Sequence, residues 1–126
     1  MRRFVDATNR RDYDGALAWY SQDAVLDMTP LGVGLFEGRD AIRGLFEDWN
    51  AAYEHVEQAM EEFRDLGNGV SFAVFSLRGR LGSGSVELRY ACVTSWTDGL
   101  IERDTNYTDI DECRAAAERL ARERGP

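Results

Sequence analysis

His55-Val56-Glu57-Gln58-Ala59-Met60-Glu61-Glu62-Phe63-Arg64-Asp65-Leu66, followed by Gly67-Asn68-Gly69, is the stretch on which the fold turns. Upstream, Ile42, Leu45, Phe46, Trp49 and Tyr53 recur at three- and four-residue spacing, which defines one apolar face of a helix starting at Arg39. Val56, Ala59, Met60 and Phe63 continue that spacing, so period alone would extend the helix to about Leu66. Gly67-Asn68-Gly69 argues otherwise. It is a tight-turn signal directly before a segment rich in β-branched and aromatic residues, and a hairpin turn needs a strand on each side. We therefore read His55 to Leu66 as a strand.

Working outward, Val70 to Leu81 is the partner strand, Ser85 to Thr97 follows the Gly82-Ser83-Gly84 turn, and Leu100 to Thr108 follows Asp98-Gly99. This is a meander of long antiparallel strands. Beyond it, Asp109 or Asp111 can cap a last helix with a Cys113, Ala116, Ala117 and Leu120 stripe. On the N-terminal side the first twenty residues read as a helical hairpin. Phe4, Val5 and Thr8 line its first helix, Asp12 caps the second, and Ala16, Leu17 and Tyr20 give the second its buried side. Ala24 to Met28 is a short strand candidate, and the loop with Pro30, Gly32 and Gly34 is a candidate pocket rim. Helices, then strands, then a closing helix is an α+β order.

Composition narrows the function classes. At 126 residues, 44% of them apolar, the chain fits one domain, 1–126, with a real core. It contains no apolar run long enough to span a membrane and no secretory pattern, so the expectation is a cytoplasmic protein with no membrane partner. The formal charge of −8 repels phosphate backbones, which argues against nucleic acid. Cys92, Cys113 and the single His55 make a poor set of metal ligands, so no metal is expected, and both cysteines read as small buried side chains.

Both faces of the strands are apolar, with Val70, Phe72 and Val74 on one side and Ala73, Phe75 and Leu77 on the other. Helices can cover one face. The other would stay exposed unless a second copy packs there, so a homodimer through the outer sheet face is expected. Arg78, Arg80, Arg89 and Arg103 lie on that outer side and can pair with Glu87 across strands or between subunits.

The helical hairpin, the Pro/Gly loop before Gly38-Arg39-Asp40-Ala41-Ile42, the meander, and Asp98-Gly99-Leu100-Ile101 leading into Tyr107-Thr108-Asp109 together resemble the SnoaL-like polyketide cyclase branch of the nuclear transport factor 2-like superfamily. The resemblance covers nearly the whole chain. It implies a cone-shaped, curved antiparallel sheet wrapped by the N-terminal helices, a closing C-terminal helix, an internal pocket and usually a dimer. Because the family holds cyclases, isomerases, dehydratases and epoxide hydrolases, it leaves the chemistry open.

In the register that the resemblance implies, Asp104, Asn106 and Thr108 face inward, with Leu88, Tyr90 and Cys92 on the next strand and Phe75 and Leu77 beyond. A carboxylate against such an apolar wall loses hydration and becomes able to exchange protons near neutral pH. Asp104 is thus the candidate catalytic acid/base; the alternative is a rim carboxylate paired with Arg103 or Arg89. Asn106 stands where the family's hydrolytic and cyclase members often carry an acid, and an amide orients an oxygen without taking a proton. The epoxide hydrolases of this fold need an arginine and an aspartate where this chain has Phe75 and Leu77, so that mechanism is excluded. Of Asp27 and Met28, strand alternation lets only one face inward, and gap-free placement favours Met28. Trp49, Tyr53 and Tyr20 are ligand-lining candidates whose helical spacing equally suits core packing.

Two functions follow. One is a cofactor-independent isomerase or cyclase-like lyase acting on a small hydrophobic carbonyl compound, with Asp104 as acid/base and Asn106 plus Tyr90 or Tyr53 polarising an oxygen. The other is a non-catalytic, dimeric ligand-binding or interaction domain.

Overall fold

The computed structural model describes residues 2–125. Two short helices, α1 (Arg2–Asn9) and α2 (Tyr13–Leu17), lead into β1 (Tyr20–Asp27). A 3-10 turn at Thr29–Leu31 and a short β2 (Leu35–Glu37) precede α3 (Arg39–Ala51). The meander is β3 (His55–Gly67), β4 (Val70–Leu81), β5 (Gly84–Thr97) and β6 (Leu100–Tyr107), and α4 (Ile110–Glu123) closes the chain. The strands form one curved, unclosed sheet in the order β2-β1-β6-β5-β4-β3.

The decisive stretch is a strand. Residues 55–60 alternate between exposed and half-buried, because Val56, Gln58 and Met60 turn toward the inner face while His55, Glu57 and Ala59 turn away. It pairs with β4 from His55↔Arg80 to Gly67↔Val70 as the edge strand of the sheet, with Asn68 at φ 57° and Gly69 at φ 73° in the turn. Only glycine fits at position 69. A Cβ there would lie 2.8 Å from the Trp96 carbonyl oxygen.

Three expectations need correction. The sheet is mixed, since β1 runs parallel to β6 while its other pairings are antiparallel. Tyr20 opens β1 instead of closing α2, with its strand partner at Ile101. The helix ends at Leu17, where Ala18 and Trp19 close the last turn onto the Asp14 and Ala16 carbonyls. The third concerns the outer face. Val70, Phe72, Val74, Ala91 and Val93 are covered by α4, whose small Cys113, Ala117 and Ala121 let it lie close to the strands. The apolar need for a second copy is therefore met within the chain.

The remaining half of the outer face is charged, with Arg78 3.2 Å from Glu87 and Arg89 3.0 Å from Glu61. Asp109 caps α4, its carboxylate accepting from the Glu112 N–H at 3.0 Å. Asn68 in the β3–β4 turn donates to the Ala121 carbonyl at 2.6 Å, so the hairpin that decides the fold also fastens the end of α4. The larger core lies on the opposite, inner face, under α1, α2 and α3. Among the described residues no helix is long and apolar enough to cross a membrane.

Candidate functional site

The inner face does not close completely on the helices above it. Between them lies a cavity of about 140 Å³, floored by β1, β4, β5 and β6 and walled by α1 and α3. It is incompletely filled because Leu45, Phe46 and Trp49 of α3 stay half-buried against it, whereas Ile42 alone on that helix is fully buried.

Asp104 comes from β6, paired across the sheet with Thr94 of β5 and Leu26 of β1. It is 8% exposed and its Oδ1 has no hydrogen-bond partner. Burial pushes its carboxyl up to about 7, although Cys92, Thr94 and Tyr20 beside it hold the value below what burial alone would give. A carboxyl in that state can give or take a proton at neutral pH. Neither arginine that could have neutralised it does so. Arg103 points to the other face and donates to Asp27 at 2.7 Å, and Arg89 is held by Glu61.

The groups around Asp104 stay neutral. Burial raises the Tyr20 hydroxyl and the Cys92 thiol well above their ordinary values, and the Asp104 charge adds to both. Burial likewise raises Tyr90. Tyr20 is rigidly placed: Arg39 at the start of α3 donates to its carbonyl from Nε at 2.9 Å and from Nη2 at 2.6 Å, and its ring packs against Phe4 and Phe46. Tyr90 stacks on Phe75 with ring centroids 5.5 Å apart. Asn106, 6% exposed, lines the cavity in register with Cys92.

Of the residues proposed from sequence, Asp104, Asn106, Tyr90, Trp49, Tyr20, Met28, Phe75, Leu77 and Leu88 all line this cavity. Asp27 and Tyr53 do not. Asp27 lies on the outer face, where its carboxylate accepts from Thr29 N and Oγ1 and pairs with Arg103, because the residue that alternates inward is Met28. Tyr53 falls two residues past the end of α3, its ring tilted at 44° to that of Trp49 with centroids 5.8 Å apart and lying over the bare backbone of Gly79.

Gln58 was missed. Its side-chain amide donates to the Tyr90 hydroxyl, and Thr8 Oγ1 lies 3.2 Å from its Oε1. Its backbone is stitched to α1 by Asn9, which accepts from the Gln58 N–H and donates to the Gln58 carbonyl, both at 2.8 Å. The signal was present, since Gln58 shares the inward phase of Val56 and Met60 on β3. Among the described residues no group of three or more His, Cys, Asp or Glu side chains is gathered as a metal site.

The fold agrees with the comparisons. Residues 1–103 match the model of the SnoaL-like domain, and the chain belongs to that family. Its architecture is similar to an NTF2-like protein from Burkholderia pseudomallei at 22% identity, covering 92% of both chains with a TM-score of 0.74. A protein from Catenulispora acidiphila with a ketosteroid isomerase-like fold, solved with trimethylamine, gives 13% identity, coverage of 92% and 89%, and a TM-score of 0.75. An LEH-like epoxide hydrolase from Mycobacterium tuberculosis gives 17% identity, coverage of 94% and 86%, and a TM-score of 0.71. At these identities the likeness is one of fold. No protein of curated function matches the chain in sequence.

Proposed function

We propose that the chain is a small-molecule pocket protein in which Asp104 serves as a cofactor-independent acid/base on a small hydrophobic carbonyl compound, in the manner of an isomerase or cyclase. One observation carries this reading: a buried carboxyl with an unpartnered oxygen, poised at about 7, in an otherwise uncharged cavity. The ionised carboxylate would take a proton from the carbon next to the carbonyl, and the resulting acid would return it to another carbon of the same molecule. The Asn106 amide and the Tyr20 or Tyr90 hydroxyl would donate to the oxygen that holds the enolate charge. Phe75 and Leu77 occupy the place of the charged pair that epoxide opening requires, so the likeness to an epoxide hydrolase does not extend to that reaction.

The test is deuterium exchange at the α-carbon of a panel of cyclic ketones in D2O, followed by NMR. The native protein should accelerate exchange with at least one ketone, with a rate that rises with pH through about 7 as Asp104 ionises. Asp104→Asn should abolish the acceleration while its circular dichroism stays native. Equal exchange by both proteins would remove Asp104 from the chemistry.

Asn106 favours a second reading, a non-catalytic ligand-binding domain, because an amide in the cavity can orient a ligand but cannot relay a proton. Ligand binding without any exchange across the panel would select it. A dimer through the outer sheet face remains part of the proposal, confined to its charged half. Sedimentation velocity checks it, and a purely monomeric boundary at tens of micromolar protein would remove it.

A further inference from the structure

The chain carries fifteen basic residues, all arginine, and a single histidine, yet none of them lines the cavity. Arg43, over the ring of the cavity-lining Tyr13 at 5.7 Å, is already bound to Asp14 at 2.7 Å, and Arg39 is held on the Tyr20 carbonyl. Around Asp104 the titratable neighbours are Tyr20 from β1 and Cys92 and Tyr90 from β5, with Cys113 of α4 behind the sheet. All of them stay neutral through the physiological range. From the helices over the cavity come Tyr13 and no charged side chain.

This distribution discriminates between ligands by charge. A carboxylate or phosphate entering the cavity would meet the buried Asp104 with no cation among the lining residues to offset the repulsion. A protonated amine would do the opposite. It would supply the partner that Asp104 Oδ1 lacks, in a cavity also lined by the aromatic rings of Tyr20, Phe46 and Trp49, whose quadrupoles can attract cations.

We propose that this cavity is built for a ligand bearing a basic nitrogen and no acid group, its protonated amine paired with the Asp104 carboxylate against the aromatic wall. The inference rests on the reading of the cavity as a ligand site. It concerns what the cavity holds, and it does not require Asp104 to move a proton.

Three compounds of equal size and different charge test it by calorimetry at pH 8: N,N-dimethylcyclohexylamine, cyclohexyl methyl ketone and cyclohexanecarboxylate. The amine should bind at least tenfold more tightly than the ketone, and the carboxylate at least tenfold more weakly. In Asp104→Asn the advantage of the amine should vanish while the ketone still binds. The native protein supplies a control independent of that variant's folding: amine affinity should rise roughly thirtyfold from pH 5.5 to pH 8 as Asp104 ionises, with ketone affinity flat. A carboxylate that binds as well as the amine, or an amine preference that survives in Asp104→Asn, would overturn the proposal. Ketone binding with no preference for the amine defeats this inference alone, whereas failure of all three compounds to bind also defeats the cavity as a ligand site.

Discussion

Asp104→Asn should gain stability relative to the native protein as pH rises from about 4 to about 8, and the size of the gain follows from the cavity. Burial raises the Asp104 carboxyl from an ordinary value near 3.8 to about 7. Between those two values the unfolded chain has released the proton and the folded chain still holds it. Folding is then penalised progressively as pH rises, and the penalty levels off above about 7. A shift of about three pKa units at about 1.4 kcal/mol each makes the full penalty roughly 4 kcal/mol. Urea denaturation followed by tryptophan fluorescence at pH 4 and pH 8 measures it. The stability of Asp104→Asn relative to the native protein should improve by roughly 4 kcal/mol between the two, whatever the baseline cost of the amide. Equivalent pH dependence in the two proteins would mean that the carboxyl is hydrated or paired in solution, and the acid/base reading would lose its physical basis.

Other predictions follow from the frame around the site. Gly69→Ala should cost about 2–3 kcal/mol, combining a left-handed backbone with a Cβ 2.8 Å from the Trp96 carbonyl, whereas Gly82→Ala, also at positive φ but in open space, should cost about 1 kcal/mol. A difference in Tm between the two variants of less than a degree would contradict this. Asn9→Ala removes both side-chain bonds from Asn9 to the Gln58 backbone and should cost about 2 kcal/mol, with faster hydrogen exchange at the Gln58 amide as its signature. Burial works against the Asp27 carboxylate, but Thr29 and Arg103 outweigh it and pull its pKa below the ordinary value. Asp27→Asn should therefore cost about 1–2 kcal/mol near pH 7, and the cost should fade as pH falls through the folded-state pKa and Asp27 is protonated in both states. A cost that persists at pH 2 would locate the effect elsewhere.

Elements set by local signals were legible in the sequence. Gly67-Asn68-Gly69 announced the hairpin, Asp109 the start of α4, and Ile42 with Leu45 and Phe46 the inner face of α3, because turn chemistry, capping and period act over a few residues. What escaped depends on partners far along the chain. Tyr20 belongs to a strand because β6, eighty residues away, offers it a parallel neighbour, and nothing in its helical spacing reveals that. The outer face pointed to a second copy because the stripe of Cys113, Ala116, Ala117 and Leu120 says that α4 has an apolar face but not that this face covers Val70, Phe72 and Val74. Within the site, the register implied by the family resemblance put Asp104, Asn106 and Tyr90 on one side, and strand alternation carries such a phase along β5 and β6. Tyr53 was carried inward by a helical period that stops at Ala51, and Gln58 was passed over because a polar side chain on an inward phase gains its meaning only from Tyr90 across the sheet.

The most direct test is the titration of Asp104 itself. With the aspartate carboxyl carbons labelled and Asp104 assigned by comparison with Asp104→Asn, its carboxyl carbon shift should follow a single step centred at about 7 in the folded protein. A midpoint close to the ordinary aspartate value of 3.8 would show a solvated carboxylate, and a cavity built around a poised acid would be contradicted.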